Sequence, residues 1–358
     1  MDKKTQEYKE WIKWRNYKEL IRRTQKKKWK KSADKRRIED NTRLKQNHKT
    51  DTYSNPHSFV APITFSFIEN YHETNIFFQD ILAFSNHKKS SKRMAFIDIS
   101  KVSVLTIDAL LYLIAIISDS NNSTRRHCSI AGNIPDNPLI RRKFEESGIY
   151  KFVKSSTNAP INRTVDNIQI ISGETCNTLL AKRISDFIVE KTHIEPRECG
   201  FLYCIMIELM SNTHKHAYNI SIKYPRWYCY VEYSKNEKLL RFTFMDTGEG
   251  IPATVRKNFK ERIDLLNLTD ENKYIISALS GEFRTSTRQS NRGKGLPSIK
   301  ECCDKKYINN LKIISNYAEV SYSSDRLSGK DHKTLFRGTL FYWEIDLKRI
   351  KEKKSNDN

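Results

Sequence analysis

The chain has no apolar run long enough to cross a bilayer, which excludes a membrane-spanning helix. Its first thirty residues carry no apolar signal core, so no secretory leader is expected. The seven cysteines (Cys128, Cys176, Cys199, Cys204, Cys229, Cys302, Cys303) include no CxxC pair, and the adjacent Cys302 and Cys303 do not suit one disulfide or one zinc clip. Free thiols in a reducing cytoplasm are the expected state. Glycine and proline are absent from Tyr8 to Arg37, which makes helix the natural reading of that stretch. What remains is a 358-residue chain with 38% hydrophobic residues, enough for a soluble globular protein of two or three domains.

Charge is present in excess and unevenly. Residues 1–50 hold 19 Lys and Arg against 7 Asp and Glu, so +12 of the net +22 lies in the first seventh of the chain. Trp11, Trp14, Tyr17 and Trp29 interleave with these cations. A basic helical arm over residues 1–55 is expected, solvated or set against nucleic-acid phosphates, an anionic membrane surface or an acidic partner.

From Phe59 to Val153 the texture changes to short apolar runs between polar turns, the pattern of alternating strands and helices. Met94–Ile99 reads as a buried strand and Thr106–Ser118 as an apolar helix. "HCSIAGNI" supplies a second strand ending near Gly132, and "NPLIRRKFEESGIYKFV" a second helix with Gly148 just past its end.

The third texture begins with "GFLYCIMIELMSNTHKHAYN", where Glu208, Asn212 and His216 recur every four residues and share one helical stripe. His214 and His216 diverge by about 200° on such a helix and cannot share a metal ion. Further on, "LLRFTFMDTGEGIP" is a β-branched and aromatic strand ending in Asp246, Gly248 and Gly250. An acid there can accept a hydrogen bond from a ligand that the glycines let approach the backbone. In "STRQSNRGKGLPSIKECC", Gly293 and Gly295 can form an N–H-rich loop that opens a helix at about Leu296, with Pro297 well placed in its first turn, a site suited to phosphate. "FRGTLFYWEI" places Gly338 and Thr339 at the entry to a closing strand.

These residues resemble the four ATP motifs of the GHKL superfamily, which includes DNA gyrase, heat-shock chaperone ATPases, histidine kinases and mismatch-repair ATPases. Glu208, Asn212, His216 and Ala217 match the ExxxNxxxHA box, Asp246 to Ile251 the DxGxGI box, Gly293 to Leu296 the GxGL box, and Gly338 with Thr339 the terminal GT. The resemblance implies a histidine-kinase-like ATPase domain over residues 165–350, an α/β sandwich of mixed sheet with helices on one face. It implies ATP and Mg²⁺ as ligands, with Asn212 on the metal and Glu208 as general base. Asp246 would read the adenine amine, helped by Thr339 through a water; Gly248, Gly250 and Ile251 would shape the purine pocket, and His216 would hold the helix end. Gly293, Lys294, Gly295 and Leu296 would meet the phosphates, and residues 252–292 would form a mobile lid, with Arg284 and Arg288 as weaker phosphate candidates.

Residues 56–160 resemble the STAS domain of anti-sigma-factor antagonists in the order of their elements, which implies a protein-docking surface. Ile107 and Asp108 stand where that family has two serines, and Ala109 where it has glycine, so its phospho-switch is not expected here. A sensor kinase's phosphoacceptor histidine is also missing: His72 is the only histidine followed by an acid, and "HETNIF" lacks the rest of that motif. Residues 351–358 read as a disordered tail, and a homodimer is in keeping with the family. An ATP-hydrolysing conformational switch is the leading expectation. The alternatives are a serine/threonine protein kinase of the anti-sigma-factor type and a nucleotide-gated module that grips nucleic acid or a partner.

Overall fold

The computed structural model describes residues 56–86, 93–122, 128–153, 166–193, 195, 199–216, 226–283 and 295–347. The basic arm, the tail and the boundary between residues 160 and 165 lie outside them. The first part runs β1 (His57–Val60), β2 (Thr64–Phe65), α1 (Tyr71–Asn86), β3 (Arg93–Asp98), β4 (Val104–Leu105), α2 (Ile107–Asn122), β5 (Cys128–Gly132) and α3 (Pro138–Glu146). The second runs β6 (Asn167–Gly173), α4 (Thr178–Thr192), α5 (Gly200–His216), β7 (Trp227–Ser234), β8 (Leu239–Asp246), α6 (Ile251–Asn258), α7 (Lys260–Leu265), α8 (Glu271–Leu279), α9 (Gly295–Asp304), β9 (Asn309–Ser323) and β10 (Arg326–Asp346).

Strands β1, β3 and β5 form a parallel sheet in the order β1-β3-β5, with β2 and β4 as a separate parallel pair. Strands β6-β7-β8-β10-β9 form a five-stranded sheet in which every pairing is antiparallel, where a mixed sheet was expected. Antiparallel pairing needs no crossover helix, and β7 and β8 are joined by a four-residue turn. The fold is thus α/β with both kinds of sheet.

Period-two alternation divides the five-stranded sheet between two cores. Trp227, Cys229 and Val231 of β7 face α4, α5, α8 and α9, whereas Tyr228 and Tyr230 face the other way. There they join Met245, Ile314 and Leu340 against residues of α1 and α2. Helices on one face only were expected; the structure covers both faces. The second cover comes from the first part of the chain, and for that reason α2 is buried at every residue from Ile107 to Ile116. It packs on β5 on one side and on β7 and β8 on the other, so an all-round apolar helix is what the position demands.

Local signals set the ends of these elements. Asn137 caps α3 by accepting from the Leu139 and Ile140 amides, Pro138 occupies the first helical position, and Gly148 leaves in the left-handed region at φ 82°. Asn177 caps α4 through the Leu180 amide.

Candidate functional site

Helix α5 buries Leu202, Ile205, Met206, Leu209 and Met210 in the core, leaving Glu208 and Asn212 partly exposed on its remaining side. Helix α9 packs against it and begins at Gly295, which is buried. A Cβ on Gly295 would stand 3.0 Å from Glu208 Oε2 and 3.3 Å from Asn212 Nδ2. The first residue of α9 and the polar stripe of α5 therefore converge, and only a glycine leaves their contact free. Leu296 packs partly buried on the core that α5 closes, as does Ile251.

The second cluster lies at the end of β8. Asp246 is partly buried; its Oδ1 accepts from the Gly248 amide at 2.8 Å, and Thr339 stands directly across the ladder from it. Burial pushes the Asp246 carboxyl up to about 7 and outweighs the Gly248 hydrogen bond and the nearby Thr339 hydroxyl, which favour the ion.

The loop that follows is fixed from β9. Gly250 has φ 90°, and a Cβ there would meet Asn316 Oδ1 at 2.4 Å. Asn316 donates from Nδ2 to the Glu249 carbonyl (2.9 Å) and accepts at Oδ1 from the Ala253 amide (3.1 Å). Ser315 Oγ accepts from the Ile251 amide (2.9 Å), donates to the Gly338 carbonyl (3.0 Å) and lies 3.1 Å from Thr339 Oγ1. The first turn of α6 thus has two of its orphan amides satisfied by side chains of another strand. Sequence reading missed Ser315 and Asn316. The signal was available, since a polar Ser-Asn pair interrupts the apolar strand "LKIISNYAEV".

Of the other expected site residues, His216 closes α5 with its side chain outside the described residues, and Gly293, Lys294, Arg284 and Arg288 lie outside them too, as does Ala217. Gly248 is buried in the loop after β8. The expected mobile lid is largely corrected. Residues 251–279 form α6, α7 and α8, and α8 places Ile275 and Leu279 in the main core. Asp331 of β10 caps α8, accepting from the Glu271 amide (2.9 Å) and the Asn272 amide (2.8 Å). Of the proposed lid only residues 284–292 lie outside the described helices and their flanking turns.

In the first part, Asp108 is only 1% exposed and its Oδ1 accepts from the Phe67 amide at 2.7 Å. Burial pushes its carboxyl up to about 6. The position at which the resemblance places a phosphorylated serine is therefore sealed as well as chemically changed. His72 is exposed on α1.

Among the described residues no group of three or more His, Cys, Asp and Glu is gathered as a metal cage. No protein-family model matches the chain, and no curated protein sequence matches it.

Proposed function

We propose that the protein binds Mg-ATP and hydrolyses it, acting as a conformational switch of the GHKL type. The observation that carries this reading is the approach of Gly295 to Glu208 and Asn212, which brings together motif residues from two helices far apart in the sequence. The donor set suits a hard cation: Asn212 supplies an amide oxygen, with the Glu208 carboxylate one turn away and phosphate oxygens left to complete the shell. Bound there, Mg²⁺ would neutralise charge on the phosphates.

The chain's own residues would do the rest. The start of α9 offers backbone N–H groups to the phosphates, and Lys294 adds a cation. Asp246 accepts from the adenine amine, where guanine has a carbonyl. Glu208 orients a water and takes its proton as the oxygen attacks the γ-phosphorus; the bond to the β-phosphate oxygen breaks, leaving ADP and phosphate. The route from site to switch is short. Tyr112 of α2 accepts from the Arg337 amide at 3.4 Å, beside Gly338 and Thr339, so a shift at that edge reaches the helix between the two sheets. Hydrolysis is favoured over self-phosphorylation because Asp108 fills the serine position and is buried.

The test follows γ-labelled ATP with the purified protein and its Glu208→Ala variant, separating free phosphate from protein-bound label. Free phosphate that vanishes in the variant is the expected result. Label on the protein would make the chain a protein kinase and direct the search to its acceptor. Tight binding without either signal would make it a nucleotide-gated binding module, in which the basic arm could engage nucleic acid or an acidic surface. No nucleotide binding at all would remove the reading.

A further inference from the structure

Strand β1 is an edge of the parallel sheet: among the described residues its only ladder partner is β3. The Ala61 amide donates to the Asp98 carbonyl, which sets the alternation: residues 57, 59 and 61 turn their backbone groups to β3, and Ser58 and Val60 turn theirs outward. Beside this open edge runs a groove of about 690 Å³ between β1 and α1. Its floor is aromatic, with Phe59 and Phe84 in edge contact at 5.5 Å and His57 stacked on Phe84 at 5.1 Å. Its helical wall presents Glu73, Ile76 and Asp80, spaced three and four residues apart and all exposed. Among the described residues Asp80 has no ion-pair partner, and Glu73 accepts there only from the neutral Asn70 amide. Val60 at 60% and Ile76 at 39% exposure leave apolar surface uncovered along the same line.

We propose that this groove binds an extended, lysine- or arginine-bearing peptide strand of another protein, which adds to the sheet at β1. The backbone of Ser58 and Val60 supplies the ladder, and the aromatic floor takes alternate apolar side chains. Glu73 and Asp80 take the cations between them. Two features select this occupant. The wall is acidic in a chain of net charge +22, so it is complementary in charge to a cationic strand. A second copy of the chain is disfavoured because twofold pairing of β1 brings the two acidic walls together. Among the described residues Arg93 sits over the Phe84 ring (5.1 Å) and donates to the Phe84 carbonyl, and it makes no ion pair with Asp80.

The experiment uses the full chain and a fluorescein-labelled peptide of alternating lysine and valine, read by anisotropy, with an aspartate and valine peptide as control. Only the cationic peptide is expected to bind. Asp80→Lys, an exposed change, and Ser58→Pro, which removes an outward amide that β3 does not use, are each expected to weaken binding by about tenfold or more. Far-ultraviolet circular dichroism of Ser58→Pro checks that its fold is kept, and Asp80→Lys stands as the independent test. Equal binding of both peptides, no binding, or binding indifferent to Asp80→Lys would overturn the proposal. So would concentration-dependent self-association abolished by Ser58→Pro, which would assign the groove to a second copy.

Discussion

Gly338 presses on the backbone of Asp246 so closely that a Cβ on Gly338 would stand 1.9 Å from the Asp246 carbonyl oxygen. The glycine also sits at φ 91°, where an L side chain is strained. Both obstacles are backbone, so no side chain can move to relieve them. Gly338→Ala is expected to destabilise the fold by roughly 2–5 kcal/mol, adding a left-handed cost to an overpacking cost. Urea denaturation checks this, and a midpoint close to that of the parent protein would contradict the geometry.

Asp246 makes stability depend on pH in an unusual sense. Its folded carboxyl is raised by burial to about 7, well above its unfolded value near 4. Between those values the native state holds the proton more tightly, so stability falls as pH rises from about 4 to 7 and then levels. Asp246→Asn removes that slope and is expected to stabilise the unliganded protein at pH 8 by at most about 4 kcal/mol, with little change near pH 4. In nucleotide binding the same variant is expected to lose its ATP-over-GTP preference. An unaltered pH slope of the denaturation midpoint would place the titrating group elsewhere.

Asn316 joins three demands at one residue: φ 53°, donation to Glu249 and acceptance from Ala253. Asn316→Ala forfeits both hydrogen bonds and the side chain that makes left-handed backbone tolerable, at an expected cost of roughly 2–4 kcal/mol. The milder Ser315→Ala keeps the backbone favourable. It is expected to weaken ATP binding more than it lowers stability, because Ser315 ties Ile251 to Gly338 across the mouth of the Asp246 loop. Paired calorimetry and denaturation on Ser315→Ala separate the two effects.

The strands and helices were legible where the sequence is strongly periodic. The stripe of Glu208 and Asn212, the strand ending in Asp246 and the glycine opening α9 all fall where spacing places them. The second cover of the five-stranded sheet was not legible, because α2 is apolar all round and such a helix does not say what it packs against. Nor was the docking of α8, since Asp331, which caps it, lies sixty residues downstream of Glu271. Long-range partners of this kind leave no local period.

Glu319 ties the β9–β10 hairpin to the first part of the chain and carries an acid sensitivity of the opposite sign to Asp246. It is only 5% exposed, yet its carboxyl is held down to about 2. Burial opposes the charge, but His332 (2.8 Å), Lys312 (3.3 Å) and Lys330 (3.3 Å) together overcome it. Lys312 also donates to the Ile68 carbonyl, and His332 stacks on Tyr71. With the folded value below the unfolded one, the stabilisation is complete above about pH 4.5 and is lost as pH falls towards 2. Glu319→Gln is expected to lower stability by about 3 kcal/mol at pH 7 and to flatten the acid limb, as seen in denaturation midpoints between pH 2 and 7. An acid limb of parental steepness would argue against this cluster.

Gly295→Ala separates the site from the scaffold. Unlike Gly338, Gly295 meets side-chain tips, Glu208 Oε2 at 3.0 Å and Asn212 Nδ2 at 3.3 Å, and it lies in helical backbone that alanine favours. The tips can give by a few tenths of an ångström, so stability is expected to change by less than about 1 kcal/mol. The same displacement moves the proposed base and metal ligand together, and a catalytic geometry tolerates little misplacement. Phosphate release is therefore expected to fall by roughly 10- to 100-fold. Stability and turnover that drop together would mark Gly295 as a packing position, and unchanged turnover would mean that Glu208 and Asn212 do not carry the reaction.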